Sequence, residues 1–284
     1  MSDQQPAAKS ILSNYYRQPK IYIRLPSQGQ YYPAGSLDVS ENGEYPVFAM
    51  TARDELMIKT PDALMNGQAT VSVIKSCVPA ILDPWNMPSI DVDAVLIAIR
   101  IATYGDKMEV NAVCPKCEHY NDYELDLNSY LQDLSAFTYQ SMIDADPLKV
   151  HIRPYDYRQM TKTALKAIEQ ERIYNIVNDE KLTDEEKIDQ FNASFVRLTE
   201  MTVEVITNTI WKIDTPEGSV EDLQEIKQFI ANAPKDVFQK ISDHIQSLRD
   251  ASELKANDVD CSECKEHFTV AVTLDQANFF AVRS

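Results

Sequence analysis

Four of the five cysteines fall into two CxxC pairs, Cys114-Pro115-Lys116-Cys117 and Cys261-Ser262-Glu263-Cys264. Two thiolates on each of two tight turns form a tetrahedral donor set suited to Zn²⁺, so Cys114, Cys117, Cys261 and Cys264 are the expected ligands of one structural zinc. A four-thiolate set leaves no open coordination position, so such a metal would hold a fold together rather than catalyse. Shared by both pairs, it would close a loop from 118 to 260, that is 260 − 117 = 143 residues. Two alternatives stand beside this reading. A redox CxxC needs the pair at a helix N-terminus in a βαβ context, and neither pair opens a convincing helix. The pairs could also be plain reduced thiols that never meet. His119 and His267 follow the pairs and could replace a cysteine, although four thiolates leave them a place facing solvent or behind the ligands. Cys77, on an apolar helical face, reads as a small buried residue.

The elements around the pairs read as strands, giving two strand–knuckle–strand units like a zinc ribbon. Met108 to Val113 and Tyr123 to Leu127 flank the first pair; Ala256 to Asp260 and Phe268 to Leu274 flank the second. Upstream, 20–25 alternates as a strand, 26–29 turns, and Asn42-Gly43 suits a hairpin turn before a strand over 45–50. Thr51 caps a short helix, Thr60-Pro61-Asp62 starts another that Gly67 stops, and 68–78 forms a third with Val71, Ile74 and Val78 on one face. The strongest helix runs from Ser89 to Tyr104. Its apolar residues wrap most of its circumference, so it is expected to be buried, with Gly105 ending it. Arg100 on that helix is expected in a core ion pair with Asp91, Asp93 or Asp54, with partner contact as the alternative. Residues 131–147 read as a connector and 149–153 as a strand. Segments 155–177, 183–211, 219–232 and 234–250 show a 3.6-residue period.

The expected fold class is α+β. A zinc-ribbon-like core of two CxxC knuckles with short strands and helices carries an inserted helical subdomain. The expected parts are a flexible arm at 1–18, a mixed core at 19–154 with the first knuckle, the helical insertion at 155–252, and 253–284 completing the core.

The chain has 284 residues, 44% of them apolar, and a formal net charge of −17. That charge disfavours nucleic-acid binding, where Lys and Arg must neutralise phosphates, and favours docking to basic protein surfaces. The polar first 18 residues lack the apolar stretch of a signal peptide, and no apolar run is long enough for a membrane span, so synthesis in a reducing cytoplasm is expected. The six glycines form no phosphate-binding loop, and the four histidines form no catalytic set. Asp184-Glu185-Glu186 reads as a helix N-terminus capped by Thr183.

One ordered set of segments resembles a known family. It comprises 25–33 (Leu25 to Pro33), 51–56, 60–67, Asp91-Val92-Asp93, 98–105, and the first knuckle with Leu125-Asp126-Leu127. In this order and spacing it is similar to the baseplate hub proteins of T-even-type contractile-tailed phages. The resemblance covers about 20–130 well and the helical part loosely. It implies a hub subunit or a hub assembly factor, without enzymatic activity, made in the host cytoplasm and acting in the virion tail baseplate. Its partners would be other hub and tail proteins, with the arm 1–18, the Tyr31-Tyr32 corner and the tail Phe279 to Arg283 as contact surfaces. A nucleic-acid-binding zinc-ribbon protein linked to transcription is the alternative, and a basic face around the ribbon would be its signature. A metal-dependent enzyme is a third class, for which neither an open metal site nor an acid/base cluster is visible.

Overall fold

The computed structural model describes residues 16–59, 67–162, 173, 183–271 and 279–280. They form a mixture of helices and small antiparallel sheets, an α+β fold. The helix start at Thr60-Pro61-Asp62 and most of 163–182 lie outside the described residues.

Helix α3 (Ser89–Tyr104) organises the first half. Pro88 precedes it and Gly105 (φ +97°) ends it, and between them eleven of the sixteen residues are buried and none is exposed. Strands β1 (Pro19–Ile23) and β2 (Tyr45–Phe48) pair antiparallel beside it, placing Ile23, Tyr45 and Val47 in the core. Asn42-Gly43 is a turn before β2, but it does not close a two-strand hairpin. The β1 partner lies some twenty residues earlier, beyond the 25–32 corner. Helix α1 (Ala52–Ile58) starts in a reciprocal cap between Thr51 and Asp54. Helix α2 (Gln68–Cys77) buries Val71, Ile74 and Cys77. Gly67 is its N-cap at φ +75°, where a Cβ would meet Trp85 and Thr161 at 3.2 Å.

The corner 25–32 hooks onto the first turn of α3. Asp91, fully buried, accepts from the Ser27 N–H (2.7 Å), the Ser27 hydroxyl (2.6 Å) and the Tyr32 hydroxyl (2.9 Å). Its carboxylate also faces the partial positive charge of the helix N-terminus. To reach it the chain turns through positive φ at Gln28, Gly29 and Tyr31. Tyr31 packs edge-on against Tyr139 at 5.6 Å, so both tyrosines of the corner have partners within the chain.

Arg100 makes no core ion pair among the described residues. It is buried, donates to the Phe279 carbonyl and lies over the Tyr104 and Phe279 rings at 5.5 and 5.3 Å. A cation here is held by π faces and a carbonyl instead of a carboxylate. Phe279 and Phe280 pack into this core. Arg17 anchors the other end of the chain. It donates to the carbonyls of Ala49 and Ser76 and to the Ser76 hydroxyl, 3.7 Å from the buried Asp54 carboxylate.

Strands β3 (Lys107–Val113) and β4 (Tyr120–Asp126) form a hairpin rooted in this core by Met108 and Leu125. Helix α4 (Leu127–Ala136) follows, capped by Asp126. The span 131–147 is therefore the end of a helix and a strand, β5 (Met142–Ala145), instead of a connector.

A second apolar core begins at this point. Strands β5, β6 (Leu148–Ile152), β7 (Ile210–Thr215) and β8 (Gly218–Val220) form one antiparallel sheet in that order. Helix α5 (Asp184–Thr209) runs straight into β7, and helices α6 (Leu223–Asn232) and α7 (Lys235–Ser252) complete the layer. Val150, Ile152, Ile206, Ile213, Ile226 and Ile241 fill it. The helical reading of 183–211 holds up to Thr209, whereas β7 and β8 form a hairpin over 210–220, and β6 lies before the expected boundary at 154. The sheet pairing explains the difference. Ile210 to Asp214 takes its hydrogen bonds from β6, far away in sequence, and that overrides a local helical period.

Asp91 sets the prediction here. Asp91→Ala leaves two hydroxyls and one N–H without an acceptor, and should lower the unfolding free energy by about 3 kcal/mol in urea titrations. Burial also pushes the Asp91 carboxyl up to about 6, although Ser27 and Tyr32 pull it back. A carboxyl raised on folding binds its proton more tightly when folded. Its stabilisation is present at low pH and is lost as pH rises towards 6. Between pH 5 and 7, wild type should lose about 1 kcal/mol relative to Asp91→Asn, which cannot titrate. Parallel pH curves for the two proteins would contradict this.

Candidate metal centre

The two CxxC turns are built alike. Each spans six residues between paired strand ends, 114–119 between Val113 and Tyr120, and 261–266 between Asp260 and His267. The second pairing joins β9 (Asn257–Asp260) to β10 (His267–Val270). In each turn the first cysteine's N–H donates to the carbonyl five residues on, Cys114 to His119 and Cys261 to Glu266, both at 2.9 Å. Its carbonyl accepts from the residue four on, Glu118 at 3.0 Å and Lys265 at 3.1 Å. Glu118 and Lys265 both sit at φ +58°, the left-handed position that lets the chain double back after the second cysteine. Backbone N–H groups thereby aim at sulfur, as Lys116 does towards the Cys114 Sγ at 3.5 Å.

Facing one another, the turns bring all four Sγ atoms within 4.8 Å. Cys114 to Cys264 and Cys117 to Cys261 are each 3.6 Å apart. A disulfide needs about 2.05 Å. Four sulfurs about 2.3 Å from a central ion define edges of about 3.8 Å, so the observed spacing fits four thiolates around one metal ion. Among the described residues no other group of His, Cys, Asp or Glu gathers in this way. Cys114 and Cys261 are fully buried, while Cys117 is exposed. His119 and His267 do not join the set. His119 is exposed, and the His267 ring lies 3.1 Å from the Asp260 carboxylate and 3.8 Å from Asp258.

The electrostatics are those of a crowded thiol cluster. The N–H groups of Cys264 and Glu263, which outweigh desolvation, help draw the Cys261 thiol down to about 6. At Cys117 the His119 N–H lowers the thiol, but the sulfurs of Cys264, Cys114 and Cys261 outweigh it and push it up to about 12. Four thiols this close cannot all ionise by themselves, and a bound cation is what would hold them all as thiolates.

A residue the sequence reading passed over joins the turns. Asn121, buried on β4, accepts from the Ser262 N–H (2.9 Å) and hydroxyl (2.8 Å). Its amide donates to the His119 carbonyl at 3.0 Å and approaches the Cys261 Sγ at 3.6 Å. It lies between the first cysteine pair and the strand expected from Tyr123, and the matching position of the second unit is Phe268, so no sequence signal marked it. Around it, Lys116 pairs with Glu266 at 2.7 Å, the Tyr123 hydroxyl donates to the Asp260 carbonyl at 3.1 Å, and the Tyr123 and Phe268 rings meet edge-on. Asn121→Ala removes the acceptor of the Ser262 N–H and hydroxyl and the buried amide that donates to the His119 carbonyl, and should lower stability by about 2 kcal/mol. Lys116→Ala removes only an exposed ion pair and should lower it much less. Chemical denaturation of both variants checks the order; equal effects would contradict the role given to Asn121.

Among the described residues no helix is long and apolar enough to cross a membrane. Comparisons with curated proteins and with solved structures gave no match. The chain does match the family described as T4 bacteriophage base plate protein over residues 25–281, from the corner that grips Asp91 to beyond the second cysteine turn. A match over that much of the chain places this protein in the T4-type phage baseplate family.

Proposed function

We propose that this protein is a structural or assembly component of the baseplate hub of a contractile phage tail, acting through protein–protein contacts, with one structural Zn²⁺ held by Cys114, Cys117, Cys261 and Cys264. Baseplate family membership across nearly the whole chain carries the reading. The hub assignment is supported by the ordered segments from Leu25 to Leu127. The zinc assignment is supported by four sulfurs at tetrahedral spacing on two matched turns. Thiolates satisfy a borderline-soft ion, and the zinc would supply a closed cross-link with no site for substrate. Apart from the ligands, the chain's own groups set the turns. Backbone N–H groups face sulfur, Asn121 fixes one turn against the other, and Lys116 with Glu266 closes the rim.

The knuckle surface does not favour the nucleic-acid alternative. Lys116 is already paired with Glu266, and Glu118, Asp122, Asp258, Asp260 and Glu263 are exposed around the turns.

Elemental analysis of protein purified without chelator should give one zinc per chain. Cys114→Ser and Cys261→Ser should each reduce it severalfold and lower the thermal midpoint by more than about 5 °C, because metal binding is folding free energy. Full metal content in both variants would contradict the ligand set. A phage lacking the gene should make no complete baseplates by electron microscopy; normal infectious tails would contradict the hub role. Mass spectrometry of purified particles then separates a resident subunit from a factor that leaves. For the N-terminal arm, a deletion of 1–15 keeps the Arg17 anchor and should leave the fold and zinc content intact while tail assembly fails. A deletion of 1–18 removes that anchor and should also destabilise the monomer. If the gene deletion blocks assembly and the 1–15 deletion does not, only the role of the arm is wrong.

A further inference from the structure

Helix α5 is 26 residues long; its last two turns sit deeply in the second core through Ile206, Thr207 and Thr209, and further out Ser194 is buried on a neighbouring face of the helix. At 100° per residue, Ile206 lies in line with Thr202, Thr199, Phe195, Phe191 and Ile188, at successive steps of three or four. The face that α5 buries at its base therefore continues outward for four more turns. There it is exposed: Ile188 is 59% exposed, Phe195 55% and Phe191 39%, and the Phe191 and Phe195 rings stack on one another at 6.2 Å and 12°. Two parallel phenylalanines in water, extending a core face, form a surface shaped for another apolar stripe.

The charges beside the stripe select what covers it. Glu185, Asp189 and Glu200 are all exposed and lie along one flank. A second copy would bring the same acids and its own share of the −17 net charge against them. We propose that the outer half of α5 is a docking surface for an amphipathic segment of another protein of the tail. Phe191 and Phe195 anchor that segment, and its Lys or Arg residues pair with Glu185, Asp189 and Glu200. This rests on the baseplate reading for the identity of the partner, while the surface itself is defined by α5 alone.

The test places a photo-crosslinking benzoylphenylalanine at position 195 of the full chain, expressed from the phage genome during infection. Mass spectrometry then reads the crosslinked peptide. The expected product joins residue 195 to a peptide of another tail protein carrying apolar residues at helical spacing with adjacent Lys or Arg. The paired variant Phe191→Ser/Phe195→Ser should keep its zinc content and melt within about 3 °C of wild type, because exposed positions away from special features contribute little. It should still reduce completed baseplates at least tenfold. Crosslinks to residues 163–182 of the same chain, together with a large fall in melting temperature, would show an internal cover and overturn the proposal. So would crosslinks to a second copy, with a dimer in sedimentation equilibrium that the variant abolishes. If the gene is essential for tails and the variant supports wild-type yields, the surface proposal fails and the baseplate reading survives. If the gene is dispensable for tails, it is the baseplate reading that fails.

Discussion

Two six-residue turns, one at 114–119 and one at 261–266, bring four sulfurs within 4.8 Å across most of the length of the chain. Everything between them has to begin and end at the same point. In the chain-entropy picture, closing a loop of 143 residues, from 118 to 260, removes unfolded-state freedom equivalent to about 5 kcal/mol. That is a large share of the net stability of an ordinary domain. It also fixes geometry. The β3–β4 hairpin is rooted in the first core, while among the described residues β9 and β10 pair with each other and reach the rest through the turns, the Tyr123 contacts with Asp260 and Phe268 and the Tyr130–Asn257 hydrogen bond. A metal shared by the two turns, as proposed, would hold those two short strands in place, since an isolated hairpin is marginal in water.

The first core uses a different device, polar groups buried with their partners. Asp91 gathers the 25–32 corner onto α3, and Asp54 gathers Thr51, Ser76 and Arg17 beneath α1. Arg100 does the same for the far end of the chain through the Phe279 carbonyl. Three irregular segments are each attached by one buried charge, so they need no strands of their own.

Much of this was legible in the residues, and the reasons differ by element. Helix α3 has the bounds its sequence announced, since Pro88, a continuous apolar run and Gly105 leave no other solution. The Thr51 and Thr183 caps, each with an acid three residues on, were local and formed as expected. The meeting of the cysteine pairs followed from coordination chemistry, which is blind to the number of residues between them. Pairing between distant segments was what local reading missed. Ile210 and Trp211 end the helical period read over 183–211 yet open a strand, because β6 supplies the hydrogen bonds of this stretch. The short α4 and β5 fall largely in the stretch read as a connector, although Asp126 caps α4 and β5 alternates exposed and buried residues. Arg100 was expected beside a carboxylate and found π faces, a choice set by a tail 179 residues away. Asn121, ahead of the strand expected from Tyr123, had no sequence signal. Its role exists only once the two turns face each other.

The central claim is that the four thiolates share one zinc. X-ray absorption at the zinc edge on full-length protein purified without chelator tests it most directly. The account predicts a single shell of four sulfurs at about 2.3 Å and no nitrogen or oxygen ligand. A first shell containing nitrogen or oxygen, or a protein free of metal with the cysteines oxidised in pairs, would contradict it.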